Sequence, residues 1–119
     1  MSKNDMHVIA YKILRYLDRK GKTGERPRLE DFCWDSKILS IPKGYWENVV
    51  SELIDNGYVK GITAVSSLDG GNVYIVQENA SITLKGSEYL HENGTMRKTA
   101  VLLGKSFEIL LETVIAGAL

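Results

Sequence analysis

Three side chains have the chemistry to ligate a metal or activate a nucleophile: His7, Cys33 and His91. A zinc site needs three or four Cys, His or carboxylate ligands at compatible spacing. These three stand far apart, and neither Cys-x-x-Cys nor His-x-x-x-His occurs. Cys33 lies between Phe32 and Trp34 with no basic neighbour to favour a thiolate, so it reads as a small buried hydrophobe. His91 falls near an expected helix C-terminus, where a partial negative charge suits it. Gly104-Lys105-Ser106 matches the end of a phosphate-binding P-loop, but the position five residues before Gly104 holds Thr99 instead of glycine. Ala100-Val101-Leu102-Leu103 ahead of it reads as helix, and Gly70-Gly71 reads as a turn with no helix after it. No catalytic residue, cofactor or metal is expected, and so no enzyme.

Recognition chemistry is what remains. Fifteen Lys and Arg balance fifteen Asp and Glu, which removes the strong pull of a basic domain on nucleic acid. The balance is uneven. Residues 1–28 carry eight basic groups, Lys3 among them, against Asp5, Asp18 and Glu25, a local net of +5. Lys12, Arg15 and Arg19 share one helical face, with Lys22, Arg26 and Arg28 just beyond, and these are the phosphate candidates. A solvated helix face is the plainer explanation of the same residues. After Ile41-Pro42, Asn48 and Ser51 could read base edges, with Lys43 on phosphate and Lys60 and Asn72 as weaker hairpin contacts. That helix sets Lys43 against Glu47, Glu52 and Asp55, a net of −2, which opposes DNA. The aromatic residues are expected in the core, Trp46 and Tyr89 included, with Tyr11 and Tyr45 partly exposed.

Positioning these groups requires elements, and the hydrophobic period supplies them. Met6, Ile9, Ala10, Ile13, Leu14, Tyr16 and Leu17 predict a helix over 5–20. Gly21 to Pro27 then predicts a loop, and Leu29–Trp34 a helical turn with Leu29, Phe32 and Cys33 inward. Trp46, Val49, Val50, Leu53 and Ile54 predict a helix over 42–56, opened by Pro42 and ended at Asn56-Gly57. The period then changes to two. Tyr58–Val65 and Asn72–Val76 predict a hairpin about Asp69-Gly70-Gly71, and Ser81–Leu84 a third extended segment with Ile82 and Leu84 inward. Thr83 is expected to cap a helix through Asn93, and Thr95 to cap a last one through Val114 or beyond. On that last helix Lys98, Lys105, Glu108 and Glu112 define a polar face opposite Leu103, Phe107, Leu110, Leu111 and Val114.

Three helices followed by a hairpin give an α+β fold, a winged helix-turn-helix with a three-helix core, a β-hairpin wing and an additional C-terminal helix. Residues 1–94 form the winged-helix domain, and 95–119 a helix belonging to it or serving dimerisation. Ile41-Pro42-Lys43-Gly44-Tyr45-Trp46, Leu53-Ile54-Asp55-Asn56-Gly57-Tyr58-Val59-Lys60-Gly61 and Ile82-Thr83-Leu84-Lys85-Gly86-Ser87-Glu88-Tyr89-Leu90-His91-Glu92-Asn93 resemble the YjcQ family over roughly residues 6–100. That family comprises small proteins of Firmicutes chromosomes, prophages and phages. The resemblance implies a winged-helix fold with a C-terminal helix and carries over no catalytic residue. Val101–Leu119 is more apolar than the family's usual Lys-rich tail.

The width of the apolar band on the last helix raises a homodimer through Leu102, Phe107, Ile109, Leu110 and Val114, or a helix lying in a groove of its own domain. The polar start and the charges Lys105, Glu108 and Glu112 argue against a secretory signal or a membrane span. A lone cysteine fits the cytoplasm. The expected function is non-catalytic, phage-type and DNA-binding or gene-regulatory; the alternative is a protein-interaction module that uses the same fold without nucleic acid.

Overall fold

The computed structural model describes residues 5–117. Within them the order is five helices interrupted by one antiparallel hairpin, an α+β arrangement. Helix α1 spans Met6–Thr23 because Val8, Ile9, Tyr11, Ile13, Leu14, Tyr16 and Leu17 recur at helical intervals and all become buried. It continues past Lys20, where a loop is expected. Thr23 Oγ1 donates to the Lys20 carbonyl at 2.9 Å, and the left-handed Gly24 ends the helix. Tyr11, expected partly exposed, is buried.

Helix α2 is the single turn Leu29–Phe32, which buries Phe32, with Cys33 buried just after it and Leu29 half-buried. Helix α3 spans Lys43–Asp55, and Pro42 sits at its N-cap with extended backbone. Trp46, Val49, Val50 and Leu53 form its buried face, as their spacing predicts. Beyond it the Tyr58 N–H donates to the Leu53 carbonyl at 2.9 Å and turns the chain into the hairpin.

Strands β1 (Val59–Ser66) and β2 (Asn72–Ile82) pair antiparallel, with Thr63 opposite Ile75 and Val65 opposite Val73. The expected third extended segment is not a separate strand: Ser81 and Ile82 are the far end of β2. The register shifts between Lys60 and Ile62: Gly61 alone stands against residues 77–80 of β2, which loop out of the ladder before pairing resumes with Lys60 opposite Ser81 and Val59 opposite Ile82.

Thr83 caps α4 (Leu84–Glu92), accepting a hydrogen bond from the Gly86 N–H at 3.0 Å. Leu84, the helix's first residue, points outward and is 80% exposed instead of buried. Gly86 permits the close approach of α4 to the hairpin, since a Cβ there would overlap the Tyr58 carbonyl oxygen. Helix α5 (Gly94–Ile115) is capped by Asn93 and not by Thr95: its Oδ1 accepts from the N–H groups of Thr95 and Met96. The helix breaks at Gly104, whose φ of 62° and ψ of −155° only glycine adopts readily.

The core lies around α1, which packs against α3, α4, α5 and β2. Tyr16, Phe32, Trp46, Met96 and Leu111 are all fully buried in it.

Candidate nucleic-acid and partner interfaces

Helix α3 turns Gly44, Asn48, Ser51 and Asp55 to solvent, because its other face is committed to the core. Beside it the hairpin starts β2 at Asn72, and the two elements enclose an open groove lined by Glu47, Asn48, Ser51, Asn72 and Tyr74. Asn48, Ser51 and Asn72, named from sequence, are therefore brought together. Tyr74 Oη donates to Glu47 Oε2 at 3.3 Å, and partial burial, with Glu47 adding to it, raises its pKa. Lys43 Nζ sits 5.0 Å from the centre of the Trp34 ring, which packs edge-on against Trp46. Lys60 lies at the opposite end of the hairpin from Asn72, opposite Ser81 across the strands. Between Lys60 and Lys85 the chain has no Lys or Arg. The outer face of the hairpin is apolar: Val65, Val73 and Ile75 are about half exposed, and Leu68 at the tip fully so.

The basic side chains of α1 do not form one solvated face. Arg15 donates to Glu108 Oε1 at 3.0 Å and lies 3.6 Å from Asp18, while Arg19 pairs with Glu112. Glu108 and Glu112, on the polar face that their pattern predicts, also reach across to α1 while staying partly exposed, because two arginines four residues apart meet two glutamates four residues apart on a helix running alongside. Lys12 Nζ stands 5.7 Å from the Phe107 ring centre. Lys22 pairs with Asp18 at 3.3 Å, and His91 Nε2 reaches the same carboxylate oxygen at 3.4 Å. That oxygen is buried and accepts no hydrogen bond, so three cationic or ionisable groups are what compensate it. Arg26 donates to the Val76 carbonyl, tying the loop after α1 to the hairpin. Arg28 pairs with Glu30 at 3.1 Å and Asp31 at 3.3 Å, and Asp31 raises its pKa. Beneath them Tyr16 Oη donates to Asp31 at 2.6 Å, and burial drives the pKa of that phenol upward. Lys3 lies outside the described residues.

Of the dimer candidates, Phe107 belongs to the core, 6% exposed and packed on Tyr11 with ring centres 6.1 Å apart. Leu110 and Val114 are half-buried against the same core. Leu102 and Ile109 stay exposed, joined by Val101 at 83%.

Two further features bear on chemistry. Burial, reinforced by a hydrogen bond to Asp35 at 2.8 Å, pushes the Cys33 thiol up to about 11, away from nucleophile behaviour. Sequence reasoning missed a groove between α1 and α3, lined by His7, Glu52, Asn56, Tyr58 and Tyr89 over an apolar floor. The available signal was Tyr58 following the Asn56-Gly57 helix stop, with Tyr89 expected in the core but half-buried and stacked on it. Among the described residues no group of three or more His, Cys, Asp or Glu is placed to hold a metal, and no helix is long and apolar enough to cross a membrane.

A family model described as YjcQ protein matches residues 11–105. No curated protein and no solved structure matches the chain.

Proposed function

The chain belongs to the YjcQ family, and from that premise we propose a non-enzymatic, phage-type winged-helix protein of the cytoplasm that works by binding another protein. In this reading α3 occupies the recognition-helix position and the β1–β2 hairpin is the wing. One observation carries it: the surface a winged helix offers to DNA is poor in cations here. Lys43 is engaged by Trp34, Glu47, Glu52 and Asp55 share its helix, and the wing has no basic residue between Lys60 and Lys85. A duplex held there sets carboxylates beside phosphates without the counterion release that drives such binding. An apolar wing face suits a protein instead.

A second reading, duplex DNA in the α3–wing groove, draws on the convergence of Asn48, Ser51 and Asn72. A gel shift with random duplex at stepped salt separates the two. The protein-partner reading expects no shift at 50 mM salt. A shift that weakens steeply with salt, and weakens further in Asn48→Ala plus Lys43→Ala, would overturn it.

Self-association through the exposed Val101, Leu102 and Ile109 on α5 is part of the proposal.

A further inference from the structure

We propose that the groove between α1 and α3 is an anchor site for an arginine side chain presented by a protein partner. The inference rests on the protein-partner reading and names the chemistry of one contact. The groove encloses about 400 Å³, within the range of sites that bury a small ligand. Its floor is Ala10, Val49 and Leu53, apolar enough to take the methylene stem of a long side chain. Tyr58 and Tyr89 form a wall, their rings stacked with centres 4.4 Å apart and planes 15° apart.

Charge selects the occupant. Asp18, Asp31, Glu108 and Glu112 are paired with the molecule's own cations; of the carboxylates without such a pair among the described residues, Glu52 is the one that lines this groove. The Glu52 carboxylate accepts a hydrogen bond from the Asn56 side-chain amide at 3.4 Å, and no Lys or Arg among the described residues pairs with it. A guanidinium satisfies both features at once, stacking flat on an aromatic ring while presenting two N–H groups to one carboxylate. An aliphatic or aromatic occupant would desolvate Glu52 with nothing in exchange. Lysine lacks the planar fork.

The test is titration of the full chain, labelled with ¹⁵N, by the capped peptide Ac-Leu-Arg-Leu-amide and by its citrulline counterpart, which keeps the shape and removes the charge. The arginine peptide is expected to shift the amides of Gly57, Tyr58 and Tyr89 with a Kd on the order of 1 mM, as one anchor warrants. Citrulline is expected to bind at least about tenfold weaker, and Glu52→Gln to cause a similar loss. Glu52 is exposed, so that variant keeps the fold, which its spectrum checks. Equal response to both peptides, shifts confined to other surfaces, or no response at about 10 mM peptide overturns the site. A positive gel shift with DNA overturns the protein-partner reading alone, which keeps the two failures apart.

Discussion

Trp46 is fixed at both its polar and its apolar edges. The indole N–H donates to the Phe32 carbonyl at 2.7 Å, and the rings of Trp34 and Tyr74 stand edge-on to it at 5.4 and 4.8 Å. Trp46→Phe leaves that buried carbonyl without its donor and opens space beside it, so a loss of about 2–4 kcal/mol is expected in urea denaturation. Cys33 gives a prediction in pH. Its pKa in the fold is about 11 against an ordinary 9.0, so the unfolded chain releases the thiol proton first. Its contribution to stability is complete below about pH 9 and is lost as the pH rises toward 11. Alkylation of the native protein by iodoacetamide checks this: the rate is expected to climb with an inflection near 11, and an inflection near 9 contradicts it. These two side chains were readable beforehand, because a tryptophan at helical spacing with Val49 and Val50, and a cysteine flanked by aromatics, both announce burial.

The elements themselves were legible wherever one face stayed apolar and the other met water. Helix α3 is of that kind, and so is the start of α1. Legibility ended where polarity had a second cause. Glu108 and Glu112 pattern as a polar face, and amphipathicity does not say that a row of arginines shares that face with water. Gln77-Glu78-Asn79 looks like the end of a strand, yet β2 bulges there and its pairing resumes beyond, through Ser81 and Ile82. Asn93 and Thr95 are both good caps, and only the hydrogen bonds choose between them. The α1–α5 seam can be tested directly. Arg15→Ala and Glu108→Gln in a double-mutant cycle are expected to show a coupling of about 0.2–1 kcal/mol that shrinks in 1 M salt, since both groups are partly exposed. Gly104→Ala probes the break in the same helix. Alanine favours a straight helix, but a straight α5 swings Phe107 and Glu108 off α1. A net loss of about 1–3 kcal/mol in thermal unfolding is expected, and a gain would mean that the seam tolerates a continuous helix.

At the scale of the whole molecule, charge and apolar surface are separated. The arginines of α1 are spent inside the domain, whereas the hairpin and the outer side of α5 present hydrophobic patches. Val101, Leu102 and Ile109 cover far less than the roughly 800 Å² per partner of a stable interface, so self-association is expected to be weak. Light scattering should find monomer at about 10 μM and a rising mass toward 1 mM, with Ile109→Lys monomeric throughout. A strict monomer at the upper concentration ends that proposal. The seam between Arg15 and Glu108 also joins residues 93 positions apart. A ribosome extending the chain at about 5–20 residues per second delivers the second half of α5 roughly 5–20 s after α1. Through that interval Tyr11 and its neighbours have no final cover. The nascent protein is therefore exposed to chaperones and proteases until the second half of α5 packs on α1.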